Sequence, residues 1–361
     1  MAASVALRAT VLSALMTHQA EIRFLQFAGR RVAYAVTGDG PPLVSPAWWV
    51  SHVELDWRDK PFRGFWESVG EGHAVVRYDR LGVGLSDRGV RDEDLTLDSE
   101  VALLRAVLDE LDLEKVVLAG GSLGGCTAIA FAARFPERVS RLLLYGAYAD
   151  GSSITSPEVR EAIVATVRSH WGLGSRVLAD LFLGDAGSAE QERLARWQRA
   201  AASPETAAAL LELFYRNDVR AEVARVRAPT LVVHRRGDRA IPYHLGRELA
   251  AAIRGATLIP LDGSAHFPWA GDGPSVARAL RLALAPEAPA RIAGEPAAVL
   301  LSGRERQVLA LVAAGLNDQE IAKQLVLSPH TVHRHVANIR HKLGRGSRTA
   351  AVAEAARLGL L

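Results

Sequence analysis

The chain has 361 residues, of which 49% are hydrophobic and 23% charged, so it has enough apolar material for two domains, one large and one small. The net charge of +3 is unevenly distributed: residues 301–361 hold nine Arg and Lys against four Asp and Glu, whereas residues 1–300 hold 34 against 36, as a polyanion-binding C-terminus would require. A single cysteine, Cys126, excludes internal disulfides and cysteine-based zinc frameworks and is typical of the cytoplasm, where we expect the protein to be.

The N-terminal segment, residues 1–21, is fairly apolar, but Arg8 interrupts it. No continuous apolar stretch approaches the roughly 20 residues that a membrane-spanning helix needs. We therefore expect a short helix or an irregular start, with neither export nor a membrane partner.

Strand-like and helix-like segments alternate along residues 22–285. The predicted strands are 22–27, 31–36, 42–44, 74–78, 115–118, 141–144, 230–233 and 256–259. The clearest predicted helices are 95–111, 123–134, 243–254 and 275–284. This alternation predicts an α/β domain with a mostly parallel sheet covered on both faces. Residues 150–226 show helical patterns and polar turns only, which predicts an inserted lid.

A Gly-x-Ser-x-Gly motif follows the fifth predicted strand, with Ser122 between Gly120 and Gly124. A helix comes directly afterwards, which is the strand-turn-helix context that this motif requires. Glycines allow the tight turn, so the Ser122 hydroxyl is expected to project at a helix N-terminus, where backbone N–H groups can bind an oxyanion.

A serine becomes a good nucleophile only beside a base that an acid orients. Both partners occur downstream: Asp238 follows the seventh predicted strand, and His266 follows the eighth. The sequence thus predicts a catalytic triad of Ser122, Asp238 and His266.

Together with the segment YDRLGVGLSD at residues 78–87, these motifs resemble the α/β-hydrolase superfamily across residues 22–285. The resemblance implies the α/β-hydrolase fold with a helical lid. It also implies that Asp79 and Asp87 of this segment are structural residues, not catalytic ones.

The chain departs from that superfamily after the third strand, where most members carry His-Gly and this chain has Ser45-Pro46-Ala47-Trp48-Trp49. The expected oxyanion hole then consists of the backbone N–H groups of Trp48 and Leu123. Since Ala47 restricts the backbone more than glycine does, the departure weakens the case for fast turnover.

Aromatic residues flank the expected site and suit a hydrophobic or aromatic ligand. The predicted pocket residues are Trp48, Trp49, Phe267, Trp171 and Tyr215. The alternative is that each is an ordinary core residue. Cys126 lies four residues beyond Ser122 and is predicted to be a packed apolar residue rather than a redox switch.

A Pro/Ala/Gly-rich stretch without periodicity, residues 286–299, is predicted to be a linker. The module that follows, residues 300–361, contains three helix starts marked by the capping residues Ser302, Asn317 and Ser328. A glutamate stands three residues after each of the first two, as in a capping box, and Pro329 takes the first helical position after the third. A short helix, a tight turn and a second capped helix predict a helix-turn-helix domain.

The strings LSGRERQVL, GLNDQEIA, LSPHTVHRHVANIRHKLG and SRTAAV resemble the LuxR-type DNA-binding family over about sixty residues. The resemblance implies binding of double-stranded DNA by the third helix in the major groove, with a fourth helix, residues 347–358, often supplying a dimer contact. It assigns base-edge contacts to Thr331, His333, Arg334 and Ala337, and phosphate contacts to Arg340, Lys342 and Arg345. Because basic residues are frequent in the family at positions 333 and 337, the departure leaves the operator sequence open.

Four histidines crowd this helix, but no Cys or carboxylate stands at ligand spacing, so we expect no metal. No Lys follows a Gly in the pattern of a phosphate-binding loop, and no cofactor is expected. A homodimer is expected, because one such module contacts too few bases to be selective alone.

Three hypotheses about function remain. The first is a transcriptional regulator whose hydrolase-like domain senses, and slowly hydrolyses, a small organic ligand. The second is an active esterase-like serine hydrolase with an appended DNA-binding domain. The third is an oligomerisation scaffold with an unused triad. The first is preferred, because a DNA-binding domain needs an input and no other input domain is apparent.

Overall fold

The computed structural model describes residues 20–285, 301, 303–343 and 345–357. The chain divides into two compact units, residues 1–293 and 294–361. The described residues leave out most of the predicted N-terminal segment. They also leave out the whole predicted linker and the predicted cap Ser302. Among the helices described, none is both long and apolar enough to cross a membrane.

Eight strands of the large unit form one sheet in the order β1-β2-β4-β3-β5-β6-β7-β8. Strands β1 to β8 are Glu21–Phe27, Arg30–Thr37, Pro42–Ser45, Ala74–Tyr78, Val116–Gly121, Val139–Tyr145, Thr230–Arg235 and Thr257–Leu261. Strand β2 runs antiparallel to β1 and β4, and the pairs from β4 through β3 to β8 are parallel. The predicted strands and the α/β-hydrolase fold are confirmed.

Helices cover both faces of the sheet, which explains why β5 and β7 are buried along their whole length. Outside the lid, helices α1 to α4 are Val53–Arg58, Lys60–Val69, Leu97–Glu110 and Leu123–Arg134, and α10 and α11 are Tyr243–Ala252 and Gly273–Leu284. The parallel strands β5 to β8 all end at one edge of the sheet, so the loops that follow them meet there.

The lid between β6 and β7 is helical, as the sequence predicts. Its helices α5 to α9 are Pro157–Ser169, Trp171–Leu183, Ser188–Ala201, Pro204–Arg216 and Arg220–Val223. Helix α6 packs on α7 and α5 packs on α8, so the lid is a layered helical subdomain.

Two aspartates of the loop after β4 anchor neighbouring segments. The buried carboxylate of Asp79 accepts hydrogen bonds from Ser51 Oγ at 2.7 Å and from the Leu85 N–H at 2.9 Å. Asp87 accepts one from the backbone N–H of Arg31 at 2.9 Å. Both side chains are therefore used to hold loops in place, in agreement with the structural role that the resemblance implies.

The small unit consists of helices α12 to α15, which are Gly303–Ala313, Asp318–Leu325, Pro329–Lys342 and Arg348–Arg357. Its core contains Val308, Ile321, Val332 and Ile339, which come from three of these helices. The helix spacing of apolar residues thus predicts the buried faces correctly.

Capping residues mark the helix starts of this unit as predicted. Asn317 Oδ1 accepts the Glu320 N–H at 3.1 Å, and Glu320 Oε2 accepts the Asn317 N–H at 2.7 Å, so the capping box is complete. Ser328 Oγ accepts the Thr331 N–H at 3.1 Å, and Pro329 is the first residue of α14.

Gly84→Ala should destabilise the large unit by about 2–4 kcal/mol, because a crowded Cβ and a strained backbone conformation are both costly. The added Cβ would lie 1.9 Å from Asp79 Oδ2, at a φ of +57°. Urea unfolding of the full chain measures the effect. Gly89→Ala in the same loop is the matched control, since a Cβ there meets nothing within 4 Å. Equal unfolding midpoints for the two variants would contradict the prediction.

Candidate functional site

Ser122 occupies a sharp turn between β5 and α4. Its backbone has φ 53° and ψ −128°, a combination that is strained for any residue with a side chain and costs about 1–3 kcal/mol. The Ser122 N–H donates to the Tyr145 carbonyl at 3.2 Å, which ties the turn to the end of β6. The turn therefore holds Ser122 at the carboxyl edge of the sheet.

Glycines allow close packing around this turn. A Cβ on Gly121 would lie 1.9 Å from the indole of Trp48, and one on Gly124 would lie 2.7 Å from the Pro46 carbonyl oxygen. A Cβ on Gly120 would lie 2.7–3.0 Å from atoms of Ala128, Gly124 and Gly125 in α4. Only glycine fits at these positions, so the motif residues Gly120 and Gly124 have a steric explanation that does not depend on catalysis.

Asp238 and His266 form a buried pair. His266 Nδ1 lies 2.8 Å from Asp238 Oδ2, and the N–H groups of Ala240 and Ile241 donate to Asp238 Oδ1 at 2.9 and 3.0 Å. Burial by itself would raise the pKa of Asp238, but His266 and these hydrogen bonds hold it below the usual value. Asp238 is therefore an ionised carboxylate that fixes the orientation of the imidazole.

The other ring nitrogen, His266 Nε2, is buried and has no hydrogen-bond partner among the described residues. Because Asp238 occupies Nδ1, Nε2 is the nitrogen that remains for a proton transfer. Ser122, Asp238 and His266 follow β5, β7 and β8 and so belong to the same sheet edge. Gly146 at the end of β6 lies between these loops, since a Cβ on it would be 3.1 Å from His266 Cε1.

Sequence analysis did not identify His234, a second histidine beside this pair. Its Nε2 lies 2.9 Å from the Ile241 carbonyl and 3.6 Å from Asp238 Oδ2, and burial lowers its pKa. His234 is a residue of strand β7. The residue pattern of a strand does not indicate that one of its side chains has a polar role.

Two buried arginines, which sequence analysis also missed, position the site loops. Arg80 donates to the Trp48 carbonyl at 2.6 Å and to the Ala47 carbonyl, and its guanidinium lies 3.3 Å from Glu100 Oε1. The segment expected to form half of the oxyanion hole is thus held by a buried cation. The signal was present as an arginine inside the family loop, but a sequence motif does not indicate which carbonyl groups it contacts.

Arg235 holds the loop that carries His266 in the same way. Its guanidinium donates to the carbonyls of Ala265 at 2.8 Å, Phe267 at 3.0 Å and Ala270 at 2.7 Å. With the Pro268 carbonyl at 3.4 Å, four carbonyls of one loop converge on one buried cation, which limits the movement of His266 between them.

Two adjoining cavities lie beside this site, and they change the prediction of the pocket. Trp48 lines a narrow cavity of about 30 Å³, and Phe267 lines both it and a wide cavity of about 710 Å³. The wide cavity is bounded by residues of α1, α2 and lid helix α7, together with Trp269. Neither cavity is lined by Ser122 or His266, whose exposures are 3% and 1%.

The other three predicted pocket residues, Trp49, Trp171 and Tyr215, do not line either of these two cavities. Trp49 packs on Trp171 with ring centroids 6.1 Å apart, and Tyr215 packs on Phe214 at 5.1 Å. Burial raises the pKa of Tyr215 to about 12. Packing of Trp171 and Tyr215 within the lid, and of Trp49 against it, fits the alternative that the sequence left open. Cys126 is fully buried, as expected of a packed apolar residue.

The predicted recognition face of α14 is exposed. His333, Arg334 and Ala337 are exposed. Val332 and Val336 of the same helix are buried. The side chain of His333 is 74% exposed, and Arg334 forms no hydrogen bond or ion pair with the described residues. The most accessible base-contact candidates therefore lie on one helix face. Thr331 is half-buried, and its hydroxyl lies 2.8 Å from Ser328 Oγ, so it belongs to the helix cap.

The predicted phosphate contacts have partners within the small unit. Lys342 Nζ lies 2.8 Å from Oε2 of Glu305, whose side chain is 1% exposed, so its first role is to neutralise a buried carboxylate. Arg340 donates to a carbonyl of the following turn, and Arg345 pairs with Glu354 at 2.7 Å while remaining 46% exposed. Moving Lys342 to a phosphate would leave Glu305 without this partner, so its predicted phosphate contact carries an energetic cost.

Comparisons with known proteins agree with both units. Residues 54–196 match the alpha/beta hydrolase fold family, and residues 299–355 match the family of bacterial regulatory proteins called luxR. The 2-hydroxy-6-oxononadienedioate/2-hydroxy-6-oxononatrienedioate hydrolase of Cupriavidus pinatubonensis is 32% identical over 214 residues, or 55% of this chain and 72% of that protein. The 2-hydroxy-6-oxo-6-phenylhexa-2,4-dienoate hydrolase of Comamonas testosteroni is 30% identical over 57% of this chain and 75% of that protein.

Two solved structures resemble the fold. A hydrolase from Pseudomonas aeruginosa matches with a TM-score of 0.63 at 22% identity, covering 72% of this chain and 97% of that one. An enol-lactonase from Burkholderia xenovorans matches with a TM-score of 0.57 at 24% identity, covering 71% and 97%. In both cases the uncovered part of this chain is more than a quarter of its length.

Arg80→Met should destabilise the large unit by about 3–5 kcal/mol, because it leaves Glu100 buried without its partner and two carbonyls without a donor. Burial raises the pKa of Glu100, so part of this loss will be relieved by protonation. Urea unfolding of the full chain measures the change.

The double variant Arg80→Met/Glu100→Leu is the control, because replacing both members of a buried pair is far less costly than replacing one. We expect it to recover a large part of the lost stability. A double variant that is less stable than Arg80→Met would show that the ion pair is not what the arginine contributes.

Proposed function

Because the chain belongs to the α/β-hydrolase family and ends in a LuxR-type DNA-binding domain, we propose that it is a transcriptional regulator whose large domain binds a small organic ligand and hydrolyses it slowly at Ser122. The observation that carries the catalytic part is the unpartnered Nε2 of His266, whose Nδ1 is held by an ionised Asp238. A binding pocket alone has no need of this arrangement.

The chemistry is that of nucleophilic acyl transfer. His266 Nε2 takes the proton of the Ser122 hydroxyl as the serine oxygen attacks the carbonyl carbon of the ligand. The N–H groups of Leu123 and Trp48 stabilise the oxyanion that forms, and Leu123 is suited to this as the first residue of α4, since early helix N–H groups have no intrahelical acceptor. His266 returns the proton to the leaving group, and water then releases the acyl group from Ser122.

Slow turnover is proposed because the nucleophile is enclosed. Ser122 and His266 are almost completely buried, and the Trp48 indole covers Gly121 next to the nucleophile. A ligand in the wide cavity reaches Ser122 only after Trp48 or a lid helix moves. Such a step favours retention of the ligand over rapid release, which suits a sensor.

The ligand class is supported by the cavity lining and by the relatives. Phe62, Trp197, Phe267 and Trp269 line both cavities, which favours an aromatic or extended apolar group. The two curated relatives are named as hydrolases of dienoates or dienedioates, and we propose an unsaturated or aromatic compound of similar size for this chain.

The DNA-binding half follows from the exposed face of α14. We propose that His333, Arg334 and Ala337 contact base edges of the operator, with Arg345 and Arg340 at phosphates, and that the protein binds as a homodimer. Ligand binding would shift the equilibrium between DNA-binding and non-binding states, since it needs only a different affinity for the two states.

An active esterase-like hydrolase with an appended DNA-binding domain is the second candidate. The intact Asp238–His266 pair and the names of the relatives favour it. The enclosed Ser122 and the Ala47 that replaces glycine favour the sensor.

A serine-directed fluorophosphonate should label the full-length protein, and Ser122→Ala should abolish the labelling. Asp238→Asn should slow it by about 10²–10⁴-fold, because the imidazole loses the carboxylate that orients it as a base. Labelling rates are measured from gel fluorescence over time.

Ser153→Ala, a change at an exposed serine at the start of the lid, is the matched control and should label like the wild type. Equally poor labelling of the wild type and Ser122→Ala would exclude catalysis at Ser122 and leave only ligand binding.

Arg334→Ala should weaken binding to an operator selected from random DNA and relax its sequence preference by about 1–3 kcal/mol, as the loss of a base contact does. The measurement compares affinities for the selected operator and a scrambled duplex at fixed salt. Lys323→Ala, which also removes an exposed charge from the small unit, should leave the preference unchanged. An unchanged preference in Arg334→Ala would refute the assigned recognition face.

A further inference from the structure

Arg77 is a buried cation without a counterion in contact. It is 5% exposed, and Nε, Nη1 and Nη2 all lack a hydrogen-bond partner among the described residues. Its guanidinium carbon lies 4.6 Å from the ring centre of Trp57 and 5.3 Å from that of Phe62. The rings hold the guanidinium in place through cation–π contacts, but they do not supply acceptors for its N–H groups.

The acidic side chain in the same cavity forms no hydrogen bond with this cation. Asp56 lines the narrow cavity and acts on Arg77 electrostatically, but the Arg77 nitrogens have no hydrogen-bond partner among the described residues. Asp56 instead accepts from the Trp197 indole N–H at 2.8 Å and the His52 N–H at 3.2 Å. Burial and the neighbouring Asp79 raise the pKa of Asp56 to about 8, and Arg77 opposes this rise.

Burial lowers the pKa of Arg77 to about 10, which still leaves it charged at neutral pH. Asp79 also acts on Arg77 electrostatically, but its carboxylate is used by the loop hydrogen bonds described above. A buried, charged group whose hydrogen bonds are unmade costs several kcal/mol, unless a ligand supplies the acceptors.

The cavity at Arg77 has room for a small group only. Its volume is about 30 Å³, enough for a carboxylate-sized group but not for a ring. It shares Asp56, Phe62, Trp197, Phe267 and Trp269 with the wide cavity of about 710 Å³, so the two lie against the same side chains. Ser45, the register partner of Arg77 on β3, adds a hydroxyl to the lining of the narrow part.

We propose that Arg77 is the carboxylate-binding residue of the ligand site, and that the ligand is an organic acid whose apolar part occupies the wide cavity. A planar carboxylate matches the fork of a guanidinium, and two parallel N–H···O bonds would satisfy nitrogens that the protein leaves unpaired. A phosphate, with more oxygens and more charge, exceeds both the space and the single cation available. This inference rests on the proposed function, because it requires that the large domain bind a small organic ligand.

Matched acid and amide probes test the proposal on the full-length protein by titration calorimetry. Three pairs are used: benzoate and benzamide, 3-phenylpropionate and its amide, and 4-phenylbutyrate and its amide. For at least one pair, the wild type should bind the acid about tenfold or more tightly than the amide, as expected of charge-assisted hydrogen bonds.

Arg77→Met should remove this preference and bind acid and amide alike, while Arg77→Lys should keep a reduced preference, because it retains the charge and loses the fork. Arg193→Met is the matched control: Arg193 lines the wide cavity but is 54% exposed, so its loss should leave the preference intact. Arg77→Met should melt at or above the wild-type temperature, since an apolar side chain replaces an unpaired buried cation.

Other outcomes separate the two proposals. Equal binding of acid and amide by the wild type would overturn the carboxylate site and leave the proposed ligand-binding function intact. An acid preference that survives in Arg77→Met but is lost in Arg193→Met would also overturn it. A marked fall in the melting temperature of Arg77→Met would show that the cation is structural, which overturns the assignment. Failure of every probe to bind the wild type would count against both proposals.

Discussion

The close approach of backbone and rings around Ser122 is the constraint on which the large domain depends. Trp48 lies against Gly121, the carbonyls of residues 46 and 47 lie against Gly124, and α4 packs on Gly120, all at distances that no Cβ permits. This packing holds the loop after β3, the turn after β5 and the start of α4 against one another. The strained backbone of Ser122 persists because these contacts leave it no alternative.

Buried arginines also hold the loops around Ser122 and His266 in place. Arg80 holds the loop after β3 through its carbonyls, and Arg235 does the same for the loop after β8. Nη2 of Arg80 donates to two carbonyls and Arg235 donates to four, although Nε and Nη1 of Arg80 have no hydrogen-bond partner among the described residues. Arg77 differs because none of its guanidinium nitrogens has a hydrogen-bond partner among the described residues, and Asp56 in the same cavity accepts from Trp197 and His52 instead. The same residue type thus serves as a structural clamp at two positions and, in our proposal, as a ligand contact at a third.

The two domains differ in how exposed their candidate functional residues are. In the large domain Ser122 and His266 are almost completely buried, and Trp49 packs on Trp171 of the lid. In the small domain the recognition face of α14 is open, while Lys342 is drawn inward to Glu305. Enclosure suits a step that depends on excluding water, and exposure suits contact with a large polyanion.

The sequence by itself determined the element order, the two domain types and the capped helices, and it predicted a triad at strand ends, because periodicity and glycine-marked turns are local signals. It could not decide which aromatic residues line the two cavities: Trp48 and Phe267 do, whereas Trp49 packs on Trp171 of the lid and Tyr215 packs on Phe214. Nor could it reveal that Lys342 neutralises Glu305, 37 residues away, or that Arg77 lacks an acceptor. Those outcomes depend on which side chains meet across the folded chain, and only the tertiary structure brings them together.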